Sequence, residues 1–152
     1  ARVCGWTLGT TAGANAMIQI LDPSVTLTPT STDYNNGFVE ATGPEGLDVR
    51  VMTNSTTGMV LKVKCTDASP QIALGDLLVK TPTAPGTGGS SQAGYTAITA
   101  LDQNLWSTGT SQHGWQIVTT DLRIQNLINY DDAIGAGTTN YTNILTYTVV
   151  AQ

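Results

Sequence analysis

The chain has 152 residues and a net charge of −5, enough for one domain with its own core. Its six basic residues are scattered, which excludes the basic stripe that nucleic-acid binding requires, and no apolar run is long enough to span a bilayer as a helix. Only 11% of residues are charged, against about 25% in an average soluble domain, with Thr, Ser, Asn, Gln and Gly filling the difference. That composition suits an exported β-rich protein that works in assemblies, and Ala1 fits a removed leader.

Apolar residues alternate in short runs broken by Gly, Pro, Asn and Asp, the pattern of antiparallel sheets with one wet face. Residues 1–13 contain Cys4, Trp6 and Leu8 at period two, with Thr10 continuing that face. A first firm strand spans residues 14–21, with Ala16, Ile18 and Ile20 on one face; Asp22-Pro23 ends it. Val25 and Leu27 form a short piece before Pro29. Asn35-Asn36-Gly37 reads as a tight turn, and Phe38 to Ala41 as a short strand.

The clearest hairpin follows. Leu47, Val49, Val51 and Thr53 alternate with Asp48, Arg50 and Met52; residues 54–58 turn the chain; then Leu61, Val63 and Cys65 face inward while Lys62 and Lys64 face solvent. Leu77 to Val79 is a short strand. Residues 81–94 read as a long loop, and Tyr95 to Leu101 as strand or irregular structure. Trp115 to Leu127 is a long strand, with Ile117 on one face and Val118, Thr120, Leu122 and Ile124 on the other. After a turn region at Asp131 to Asn140, the last strand places Tyr141, Leu145, Tyr147 and Val149 on one face. Seven to nine such strands predict an all-β, immunoglobulin-like antiparallel β-sandwich, with a closed barrel as rival.

Catalytic and metal signatures are missing from the pattern. His113 is the sole histidine, lies in a loop context and has no Gly-x-Ser-x-Gly elbow to serve. Asp131-Asp132 matches no calcium-loop spacing and reads as a turn. The expectation is no enzyme, no cofactor and no metal. Cys4 and Cys65 are an even pair in a chain of exported character and suggest one disulfide closing a loop of about 60 residues. Two free buried thiols, or a bond between subunits, are the alternatives. Asn54 and Asn140 fit the N-glycosylation acceptor pattern. Trp106 and Trp115 flank one polar stretch and are candidate ligand contacts, although core packing or an inter-subunit anchor is the favoured reading for residues that bury so much area.

The segment DVRVMTNSTTGMVLKVKCTD and the ending NYTNILTYTVVAQ together resemble bacterial pilin-like surface proteins, in particular the spore coat protein U and archaic chaperone–usher pilin group. Archaeal and bacterial bundling-pilus and biofilm-matrix fibre proteins are similar in general character. The resemblance covers about a third of the chain. It implies an extracellular, cell-surface filament subunit for adhesion or biofilm formation, partnered by copies of itself and by a periplasmic chaperone and usher. Its sandwich would be incomplete and completed by a donor strand from a neighbour. Residues 1–13 are then the donor arm, with Val3, Cys4, Trp6 and Leu8 entering the neighbour's groove, and residues 14–152 the sandwich domain. A secreted carbohydrate- or surface-binding module and a viral capsid or tail protein are the competing expectations.

Overall fold

In the computed structural model the described residues are 4–12, 15–86, 88–130 and 141–152, with side chains from residue 15 onward. Twelve strands follow in order among them: β1 (Cys4–Ala12), β2 (Ala16–Ile20), β3 (Thr26–Leu27), β4 (Phe38–Ala41), β5 (Leu47–Thr53), β6 (Met59–Cys65), β7 (Leu77–Lys80), β8 (Ser90–Ser91), β9 (Thr96–Ala97), β10 (Gln103–Thr108), β11 (Gln112–Gln125) and β12 (Tyr141–Ala151). One short helix, α1 (Ser31–Asn36), stands between β3 and β4.

The strands form an all-β sandwich of two sheets. The first has the order β3-β1-β12-β6-β10-β8, the second β2-β5-β11-β7-β9, with β4 also pairing with β11. Among the described residues all pairings are antiparallel except one: β1 runs parallel to β12.

Period-two patterning places the core between the sheets. Leu47, Val49 and Val51 of β5, Leu61 and Val63 of β6, Val118, Leu122 and Ile124 of β11, and Leu145, Tyr147 and Val149 of β12 are all fully buried. Burying each large side chain contributes about 1.5–3 kcal/mol. A one-residue slip of any of these strands would turn its whole apolar set outward, so the register is strongly fixed.

Three local expectations are corrected. The hairpin expected of residues 47–65 is not made: β5 lies in the second sheet and β6 in the first, so the turn between them crosses from one sheet to the other. Asn35-Asn36-Gly37 does not make an isolated tight turn; it ends α1. Thr30 caps that helix, accepting a bond from the Asp33 N–H while the Asp33 carboxylate accepts from the Thr30 N–H, and Gly37 closes it at φ 81°. Residues 81–94, read as one long loop, contain β8 and hold Pro85 against the core, where its carbonyl accepts from Trp106 Nε1 at 3.0 Å.

Candidate functional site

The sequence reading placed function in the first strand, and the structure gives that strand a seat. β1 pairs with β12 over nine residues, from Cys4 opposite Tyr141 to Ala12 opposite Val149; Trp6 stands opposite Asn143 and Leu8 opposite Leu145. On its other side, among the described residues, β1 pairs only with β3, at Cys4 and Gly5. The arm of this chain therefore lies on its own body, along one long seam. Val3 falls outside the described residues.

β12 also has partners other than β1. On its far side β12 pairs with β6, from Leu145 opposite Cys65 to Ala151 opposite Met59. Thr66 N–H donates to the Ile144 carbonyl, so even-numbered residues of β12 direct their main-chain groups to β6. The odd ones, Asn143, Leu145, Tyr147 and Val149, direct theirs to β1. Without β1 they would form an open row of donors and acceptors, a template for another strand.

Buried polar pegs fix the same strand. The Asn143 amide spans the Ile72 peptide, accepting from its N–H at 2.9 Å and donating to its carbonyl at 3.0 Å. The Tyr147 hydroxyl donates to Thr120 Oγ1 in the opposite sheet at 2.7 Å. The end of β12 is clasped by the β5–β6 turn: Gln152 N–H donates to the Gly58 carbonyl, and the Ser55 and Thr57 hydroxyls donate to the Gln152 carbonyl. Asn15, at φ 63°, stands directly before β2.

The expected Cys4–Cys65 disulfide is not made. Cys65 is a free, buried thiol. It lies opposite Leu145 on one side of β12, while Cys4 lies opposite Tyr141 on the other. Strand spacing and rise put their Cα atoms roughly 16 Å apart, against a limit of about 7 Å for a disulfide. The even count misled because both residues are in one sheet with a whole strand between them.

The paired-tryptophan site is corrected as well. Trp106 is in β10 of the first sheet, 1% exposed, with its indole N–H already used. Trp115 is in β11 of the second sheet, partly exposed, under the Arg50 guanidinium at 4.5 Å. They share no platform for a sugar. Asn54 is exposed in the β5–β6 turn, the geometry a glycosylation acceptor requires; Asn140, Asp131 and Asp132 lie outside the described residues. His113 is exposed at the start of β11. Among the described residues, no group of three His, Cys, Asp or Glu side chains is placed to hold a metal.

One cluster had no sequence signal. On the outer face of the second sheet, Arg123 pairs with Glu40 and lies over the rings of Phe38 and Tyr95 at 4.3 and 4.4 Å. Lys80 lies over Tyr95 at 4.4 Å and reaches Asp121 at 3.9 Å. Burial, and then the Glu40 and Asp121 carboxylates, push the Tyr95 hydroxyl up to about 12. Each cation is thus held by both a ring and a carboxylate, which locks β4, β11 and β7 across their outer face. Its members lie some fifty or more residues apart in places, so no local spacing announces it.

No known protein family matches the chain, and no curated protein matches it either.

Proposed function

We propose that the chain is a structural subunit of an extracellular filament or coat, assembled head-to-tail by strand exchange. The observation that carries this reading is the single parallel seam between β1 and a β12 that is anchored independently of it. In the exchanged state, residues 4–12 of one copy take the place along the next copy's β12 that β1 takes here, in the same register. Every main-chain bond of the seam is regained, and the free-energy difference between closed and exchanged forms comes from the link between β1 and β2 and from concentration. Because the same seat repeats on each copy, the arrangement propagates as an open filament. Cys4 stays beside Tyr141 in that register, so the exchanged seam is non-covalent.

The low charge supports the reading, since few like charges oppose close packing of copies.

Deletion of residues 1–12 tests it, with negative-stain microscopy and a synthetic peptide of residues 1–12. The full chain is expected to give fibres and the truncated chain none, with the peptide binding the truncated chain one to one. A full chain that stays monomeric at high concentration, or a truncated chain that still polymerises, overturns the reading.

A further inference from the structure

The second sheet has an open margin of its own, far from the β1 seat in topology. In β5, Asp48 accepts from the Leu21 and Asp22 N–H groups, and Asn54 N–H donates to Asn15. Even-numbered residues of β5 therefore point their main-chain groups at β2, and odd-numbered ones at β11. Val49 is opposite Val118 and Val51 opposite Gln116, so Gln116, Val118 and Thr120 bond β5. Ile117, Thr119, Asp121 and Arg123 must point the other way.

On that other side, Asp121 and Arg123 find Lys80 and Leu78 of β7. Among the described residues, Ile117 and Thr119 find no strand. β7 ends at Lys80, and Thr81 N–H already bonds the Gln92 carbonyl as the chain leaves for the first sheet. Two donors and two acceptors of a strand that is central elsewhere are left at an edge.

Natural edges are blunted with Lys, Pro or inward charges. From Trp115 to Thr120 this one has none: the run is Trp-Gln-Ile-Val-Thr-Thr. Ile117 is 53% exposed on its outer face.

We propose that this edge of β11 docks a second copy of the chain, β11 against β11, antiparallel about a two-fold axis. Only an extended strand satisfies alternating N–H and C=O groups, and two identical antiparallel edges are complementary by symmetry. Ile117 and Thr119 of each copy then supply about four ladder bonds. Two chains of net charge −5 meet here through an uncharged seam, which removes the like-charge penalty that other parts of their surfaces would impose. The open run is bounded by Lys80 at one end and by the register shift between Gln112 and Gln116 at the other. A partner segment must therefore be equally short and must turn away beyond it, as the bulged start of β11 does. The result is one continuous sheet through both copies, β2-β5-β11-β11-β5-β2.

Sedimentation equilibrium on the full chain, from micromolar to submillimolar, reads the association. The wild type is expected to dimerise. I117K places two charges at the seam and is expected to weaken association at least about tenfold, while I128K, the same change at an exposed residue off the sheets, leaves it unchanged. I117P is the second variant: the Ile117 N–H points away from β5, so proline removes an edge donor without touching the β5 ladder. Circular dichroism should be the same for all. Where β1 exchange also produces fibres, I117K and I117P give single fibres in place of laterally paired ones, so the two contacts are read separately. A wild type monomeric over the whole range with no lateral pairing, or edge variants that associate like the wild type, overturns the proposal.

Discussion

Tyr147 of β12 and Thr120 of β11 join the two sheets through the core: both are fully buried, and the phenol donates to the threonine hydroxyl at 2.7 Å. The phenol satisfies its own polar group inside an apolar layer, so Tyr147→Phe should cost about 1 kcal/mol and Tyr147→Ala about 3–5 kcal/mol in denaturant unfolding. Burial also pushes the Tyr147 hydroxyl well above its ordinary value, while the Thr120 bond opposes that shift. The native state thus holds a proton that the unfolded chain releases near pH 10. The stabilisation is complete below about pH 10 and is lost as pH rises from there toward the folded value. Tyr95, lifted to about 12, adds to the same alkaline limb. Stability measured against pH should fall above pH 10, and less steeply in Y147F; an unchanged slope in that variant contradicts the assignment.

Asn143 is the second peg. Its amide is fully buried and holds both polar groups of the Ile72 peptide. Asn143→Ala orphans a donor and an acceptor together, at about 1–3 kcal/mol each, so a loss of about 2–6 kcal/mol is expected. Asn143→Asp keeps the acceptor but turns a charge toward the Ile72 carbonyl, and should cost more at neutral pH than at acid pH. Chemical denaturation at two pH values checks both. Near-wild-type stability in N143A would mean that water replaces the side chain.

The faces of β5 and β6 were legible to the residue because one wet face makes alternation strict: Leu47, Val49, Val51 and Thr53 are inward as expected, and so are Leu61, Val63 and Cys65, although the two strands lie in different sheets and do not pair with each other. The buried faces of β11 and β12 follow for the same reason. What the pattern could not carry was partnership. Period two says which side of a strand is wet, not which strand lies beside it, so neither the parallel seam of β1 with β12 nor the strand between Cys4 and Cys65 was visible. Trp106 shows the same gap, since the Pro85 carbonyl that accepts from its indole is 21 residues away in the chain. α1 was readable: Thr30 and Asp33 are spaced as a capping box, but the Asn-Asn-Gly turn signal outweighed it.

Cys65 as a lone buried thiol has consequences in solution. Reducing agent should leave the melting temperature unchanged, and reducing and non-reducing gels should match. In a Cys4→Ser background, where Cys65 is the remaining thiol, a chromogenic disulfide reagent should react only as the protein unfolds, because the sulfur is 3% exposed with its residue. Cys65→Ser puts a hydroxyl in the apolar layer and should cost about 1–3 kcal/mol. Rapid labelling of the native protein in the Cys4→Ser background contradicts the burial.

Two glycines with nearly the same backbone angle separate strain from collision. Gly37 ends α1 at φ 81° with open space where a Cβ would stand, so Gly37→Ala bears only the left-handed strain, about 1–2 kcal/mol. Gly58 is at φ 89°, and a Cβ there would stand 1.9 Å from the Thr108 carbonyl oxygen, at the end of β10. Main chain has no rotamer with which to yield, so Gly58→Ala must push β10 off β6. The same turn clasps the end of β12 through the Gly58 carbonyl, which spreads the damage to that strand. Gly58→Ala is therefore expected to cost roughly 4 kcal/mol, or to abolish soluble expression. Paired urea denaturation of the two variants decides it: a gap below about 1 kcal/mol would mean that the β5–β6 turn does not approach β10 as closely as this packing requires.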